Sequence, residues 1–204
     1  MVSDDLPTPP DGLRIAGYAP CAEGAVILLA PDEPSFWTIF CRSTEFLDGQ
    51  PDPMDRWSRR VVTQWAAGWA AKAVFPSDGP PYASFLDWAR ASGTCWASPV
   101  GMLVHHEMGL FISFRAAIIL EHPLPAPPQS TSPCISCHAP CLTACPADAF
   151  QGSYDASRCH DFLDSPAGDE CMNAGCRVRR ACPIGKGCGR LPEQSAWHMR
   201  QFHR

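Results

Sequence analysis

The sequence predicts an α+β fold followed by a small cysteine-rich domain. Three observations lead there. Short apolar runs bounded by Pro, Asp and Gly share residues 1–122 with helical stripes, residues 123–133 hold five prolines, and eight of the twelve cysteines fall between Cys134 and Cys182. At 204 residues and 46% hydrophobic content, the chain can bury a core in one domain and still carry an appendage.

Taken in order, residues 25–30 and 36–41 are apolar and flanked by breakers, which predicts strands. Asp55 is the expected N-cap of a helix in which Trp57, Val61, Trp65 and Trp69 recur every fourth residue on one face. Such a tryptophan stripe belongs to a core rather than to a cofactor site. Tyr82, Phe85, Leu86 and Ala89 form a second helical stripe. Residues 101–104 and 110–114 read as strands joined by the turn His105-His106-Glu107-Met108-Gly109. Cys21, Cys41 and Cys95 are too widely spaced for a site and are expected to pack as small apolar side chains. The run PLPAPPQSTSP over 123–133 favours extended, weakly structured chain and sets the domain boundary, with residues 134–204 beyond it.

Charge and hydropathy exclude some functions. The net charge is −5 and the only lysines are Lys72 and Lys186, so the basic field that draws a protein onto phosphate backbones is missing and nucleic acid is not an expected partner. No stretch approaches the roughly eighteen apolar residues of a membrane span. The start, MVSDDLPTPP, has no basic region leading into an apolar one, so the expected location is the cytoplasm.

The cysteines carry the chemistry. The first four are spaced C134-xx-C137-xxx-C141-xxx-C145-Pro146, close to the CxxCxxCxxxCP run of two-cluster ferredoxins, in which the fourth thiolate serves the other cluster. Cys159, Cys171, Cys176 and Cys182 follow, the last again before a proline, Pro183. A crossed arrangement assigns Cys134, Cys137, Cys141 and Cys182 to one [4Fe-4S] cluster and Cys145, Cys159, Cys171 and Cys176 to the other. Zinc is the first rival, but its knuckles are usually two short pairs well apart, not four thiols in twelve positions. Disulfides would need an oxidising compartment. Arg177, Arg179 and Arg180 lie between two candidate ligands, where positive charge would raise the potential of a cluster, or where a solvated helix face would simply carry them. Cys188 is surplus to two four-thiolate sites, and His138 and His160 each neighbour a candidate ligand.

With these residues in view, the chain resembles the epoxyqueuosine reductases. Residues 96–118, WASPVGMLVHHEMGLFISFRAAI, are similar without a gap to that family's tryptophan, strand, His-x-Glu-x-Gly turn and strand. Asp78-Gly79-Pro80-Pro81 is similar to its Asp-Ser-Ala-Pro, and Ser157-Arg158-Cys159 to its Arg-Arg-Cys. The resemblance covers residues 60–183 and all eight cysteines in order. It implies a nitroreductase-like, corrinoid-binding domain followed by a ferredoxin-like two-cluster domain, and a proton-donor role for Asp78. The chain departs from the family at Ser98-Pro99-Val100, where the reductases carry Gly-Lys-Asn, and at Arg115-Ala116, where they carry Gly-Glu. The last cysteine spacings are longer, and GCGRLPEQSAWHMRQFHR stands in place of a helical-repeat tail. The layout is closer to the small ferredoxin-annotated relatives of those enzymes.

The expectation is therefore electron transfer through two [4Fe-4S] clusters to a redox partner protein or reductase. The alternative is a corrinoid- or flavin-dependent reductase fed by the clusters, with Asp78 as acid. A competing role for Asp78 is to cap a helix opening at Pro80 or Pro81. His105 and His106 are expected at the surface of their turn rather than on a metal.

Overall fold

The computed structural model describes residues 6–127 and 130–203. Its elements are mixed, with a small antiparallel sheet, as an α+β chain requires. The chain divides into two compact units, Met1–Cys95 with Ser113–Ser130, and Trp96–Ile112 with Thr131–Arg204. The expected division lay at a 123–133 linker, of which residues 128–129 fall outside the described residues. Of the three boundaries, the one between Ser130 and Thr131 lies in that stretch, and residues 96–112 cluster with the cysteine-rich segment.

In the first unit, β1 (Leu13–Cys21) and β2 (Gly24–Pro31) pair antiparallel through the tight turn at Cys21 and Gly24. β2 is buried nearly throughout, because it is the inner strand that also pairs with a later one. β1 escaped the sequence pattern because Gly17 and Pro20 interrupt its alternation, and its register shifts between Ile15 and Gly17. The glycine has a packing reason: a Cβ on Gly17 would lie 2.6 Å from the Thr94 hydroxyl.

The run 36–41, expected as a strand, is instead α1 (Ser35–Cys41). Phe36, Trp37 and Phe40 are spaced for one helical face, and all three are buried. α2 (Thr44–Leu47) follows, with Ser43 capping it by accepting the Phe46 N–H at 3.3 Å. α3 (Pro53–Ala67) starts two residues before the expected cap, at Pro53, a position where a missing N–H costs nothing. Its buried face is Met54, Trp57, Ser58, Val62 and Ala66. A stripe repeated every four residues drifts by about 40° per step on a 3.6-residue helix. Trp57 is therefore core, but Trp69 lies beyond the helix and is 49% exposed.

β3 (Lys72–Val74) comes next, and then α4 (Phe85–Ala91), which opens well after the predicted Pro80 or Pro81, with Ser84 as its N-cap residue. Phe85 and Ala89 face inward as expected, whereas Tyr82 and Leu86 are exposed. β4 (Cys95–Ala97) and β5 (Leu103–His105) form a separate two-stranded sheet. The predicted pairing of 101–104 with 110–114 is thus replaced: the partner strand lies upstream, and residues 110–114 are irregular because the chain turns again at Phe111, whose N–H meets the Met108 carbonyl. β6 (Ala116–Leu120) then returns to the first sheet, between β2 and β3, giving the order β1-β2-β6-β3.

The cysteine-rich segment folds into short helices: α5 (Ala156–Leu163), α6 (Asp169–Ala174), α7 (Arg177–Ala181) and α8 (Pro192–Phe202), with 3-10 turns between them. The C-terminal stretch is not a loose tail, since α8 packs on α6 and buries Gln194, Ser195 and Ala196. Among the described residues no helix is long and apolar enough to cross a membrane.

Candidate metal centre

The first group of thiols is built from two loops and the hairpin. Ser132 and Cys134 accept turn hydrogen bonds from Ile135 and Cys137, which coils the chain around Cys134. Ala139, at φ 49°, redirects it into the 3-10 turn Pro140–Thr143 that buries Cys141. Cys182 arrives from the far end of the segment, at the C-cap of α7. Val178, one turn earlier and fully buried, anchors that helix in an apolar cluster with Val100, Val104, Leu110, Cys141 and Cys182. The result is a cavity whose walls include Cys134, Cys137, Cys141 and Cys182 together.

The electrostatics describe the same foursome. Burial pushes the Cys141 thiol up, and the neighbouring Cys182, Cys134 and Cys137 push in the same direction. Cys134 is raised first by burial, against a hydrogen bond from Ser132, with Cys137 and Cys182 adding to the rise. Cys134 and Cys141, each raised by burial and by nearby thiols, are the kind of groups whose ionisation a bound cation would favour. The Ala139 N–H already points at Cys137 Sγ, at 3.4 Å.

The second group is assembled on helices. Cys145 accepts the Ala149 N–H at 3.4 Å, a bond fixed by the left-handed Asp148 before it. Cys159 sits on α5, whose N-cap Asp155 accepts the Arg158 N–H at 2.9 Å. Cys171 is buried on α6, and Cys176 leads into α7 after Gly175 at φ 90°. Burial raises the Cys159 thiol, a hydrogen bond from the Tyr154 hydroxyl opposes this, and Cys176 and Cys145 raise it further. Cys171 is raised by burial and by Cys176, against the Arg177 N–H and the Arg180 charge. Tyr154 stacks on Phe150 at 4.8 Å, which holds its hydroxyl toward Cys159. Sequence reasoning missed Tyr154 and Ser132, although both stand within five residues of a candidate ligand.

Among the described residues no three His, Cys, Asp or Glu side chains converge tightly enough to hold one metal ion. Cys188 lies outside both thiol groups, at the end of the 3-10 turn Ile184–Gly187. The arginine knot is largely structural. Arg179 donates to the Leu110 carbonyl, and desolvation lowers its affinity for its proton, with Cys176 opposing. Arg180 donates to the Gly175 carbonyl at 3.1 Å and to Glu170 at 2.7 Å. Glu170 also lies 3.6 Å from Arg177. His160 meets His203, Nδ1 to Nδ1 at 2.6 Å, and stacks on Phe202. His105 departs from expectation: it is 1% exposed, and its Nδ1 accepts the N–H groups of Glu107 and Met108, so it ties the turn together. His106 is partly exposed and lies 3.5 Å from Glu107.

Asp78 belongs to the first unit. Its Oδ1 meets Arg59 at 2.5 Å and its Oδ2 accepts the Phe75 N–H at 2.9 Å, while Arg59 lies over the Phe75 ring. Burial raises its pKa, but the Arg59 hydrogen bond, the Phe75 N–H and the Arg59 charge together outweigh this and hold the carboxyl below the usual range. It closes the turn at 75–78 and caps no helix at Pro80.

No family model matches the sequence, and no curated protein matches it. Among solved structures the chain is similar to a selenomethionine-labelled epoxyqueuosine reductase, at 19% identity and a TM-score of 0.48. The match covers 86% of this chain and 53% of that one, so the chain spans about half the length of the reductase it distantly resembles.

Proposed function

We propose that this protein is an electron carrier holding two [4Fe-4S] clusters, one on Cys134, Cys137, Cys141 and Cys182 and one on Cys145, Cys159, Cys171 and Cys176. The observation that carries the reading is the gathering of Cys134, Cys137 and Cys141 with the distant Cys182 around one cavity. A crossed two-cluster pattern requires that pairing of near and far thiols. A single zinc ion would need four sulfurs converging at about 2.3 Å from one point, whereas a cubane takes each thiolate on a different iron. The cavity is lined by all four of these cysteines, and among the described residues no three of them are gathered closely enough for one ion.

When bound, such clusters supply one-electron transfer without moving atoms. The residues of the chain set the conditions for it. The Ala139 and Ala149 N–H groups and the Tyr154 hydroxyl direct hydrogen bonds at sulfur, which favours the more negative, reduced state. Val104, Leu110 and Ile184 give the first site an apolar wall. The partner is a redox protein or reductase. The enzyme alternative gains nothing from Asp78, because a carboxylate kept ionised by Arg59 is a poor proton donor at neutral pH.

Anaerobic reconstitution tests the reading. About eight iron and eight sulfide per chain, with signals from two reducible clusters, are expected. About four of each, or stoichiometric zinc, would reject it. Titration with cobalamin distinguishes the alternative: tight one-to-one binding with a turnover that Asp78→Asn abolishes would make the protein an enzyme.

A further inference from the structure

Ser98 directly follows β4 with both of its main-chain groups engaged: its N–H donates to the Met102 carbonyl at 2.8 Å, and its carbonyl accepts the Gly101 N–H at 2.9 Å. The side chain is thus held in place by the turn. It is 8% exposed, and its hydroxyl is buried with no hydrogen-bond partner. A buried hydroxyl left unpaired is unfavourable and calls for an explanation. The residue lines the cavity ringed by Cys134, Cys137, Cys141 and Cys182, and apart from those thiols it is the one polar side chain among the described residues of the lining. Pro133 and Pro183, which flank two of the thiols, have no N–H to offer.

We infer that the Ser98 hydroxyl is the hydrogen-bond donor to a sulfur of the group bound in this cavity and raises its reduction potential. The inference rests on the iron–sulfur reading above. A donor aimed at sulfur stabilises the state with one more electron, because that state places more negative charge on sulfur. The burial of the hydroxyl in a cavity otherwise lined by apolar side chains and thiols strengthens the effect, since a hydrogen bond is stronger at low dielectric.

The test compares Ser98→Thr, which keeps the hydroxyl, with Ser98→Val, which has the same shape without it, alongside Ser98→Ala. Iron and sulfide content is measured first, and a protein without iron overturns the iron–sulfur reading. Where two clusters are present, a potentiometric titration followed by electron paramagnetic resonance should show two reduction waves. In Ser98→Val one wave should fall relative to Ser98→Thr by about tenfold in the reduced-to-oxidised ratio, or about 59 mV for a one-electron couple. Ser98→Ala should shift the same wave, and the other wave should stay fixed. Identical waves in the Thr and Val variants, or equal shifts of both waves, would overturn this inference while leaving the clusters standing.

Discussion

Gly109 shows how tightly single residues are fitted here. It adopts φ 54°, and a Cβ at this position would stand 2.5 Å from the Gly185 nitrogen and 2.9 Å from Cys182 Sγ. Gly109→Ala combines left-handed backbone strain of about 1–2 kcal/mol with a clash against main chain that cannot swing away. The expected outcome is iron falling from about eight to about four per chain as Cys182 is displaced, with the first unit's thermal transition unmoved. In that first unit, Glu45 is 8% exposed and is gripped by Arg60 through two bonds, at 2.5 and 3.0 Å. The Arg60 hydrogen bond lowers the Glu45 pKa, against a rise from burial. A depressed folded-state pKa stabilises the fold above the unfolded value of about 4.3, and the gain fades as pH falls through the lower folded value. Arg60 is half exposed, so Glu45→Gln should cost about 0.5–1 kcal/mol at pH 7, and the gap to the native protein should close toward pH 3 in urea titrations. The cysteine spacing is what singled out these thiols in sequence. Ser98 carries no such signal, because a serine after a strand is ordinary until the fold places it on a cavity lined with cysteines.

At the scale of elements, α1 illustrates what pattern alone leaves open. A six-residue apolar run fits a buried strand or one face of a short helix, and only packing decides. Here Phe40 lies 5.1 Å from Phe46, 5.8 Å from Phe36 and 6.0 Å from Trp57, an aromatic cluster that needs helical spacing to form. Phe40→Ala should lower the stability of the first unit by about 3–5 kcal/mol in chemical denaturation, because the cavity is walled by rings that cannot collapse into it. Iron content at low temperature should be unaffected. β2 was legible, being long, apolar and bounded by glycine and proline. The hairpin was legible at its turn and not in its pairing, since either flank of 103–105 could supply a partner strand and the sequence does not rank them.

For the whole molecule, the division into units gives a prediction of its own. Removing iron should release the segments whose order depends on the thiols, because metal binding and folding are coupled in such sites. Hydrogen exchange of the iron-depleted protein should show lost protection over 131–203 and, together with it, over 103–105. Protection in β2 and β6 should persist. Loss confined to 134–203 would mean that the hairpin keeps its order without the thiols. One boundary, at 130/131, lies in the proline-rich stretch. The other two, at 95/96 and 112/113, carry no compositional mark, because they lie within strands and turns of ordinary make-up.

That interleaving also orders events during synthesis. The hairpin with Val100, Val104 and Leu110 leaves the ribosome before any of the thiols it will finally pack with, and β6, which completes the sheet on either side of it, follows close behind. The nascent chain therefore carries a finished sheet and a strip of uncovered apolar side chains at the same time, until Cys182 is made. On the two-cluster proposal, iron delivered before that moment would meet an incomplete set of ligands, and a chain stalled there is exposed to aggregation. No single cut in the gene yields both units whole, so neither unit can be produced intact by simple truncation.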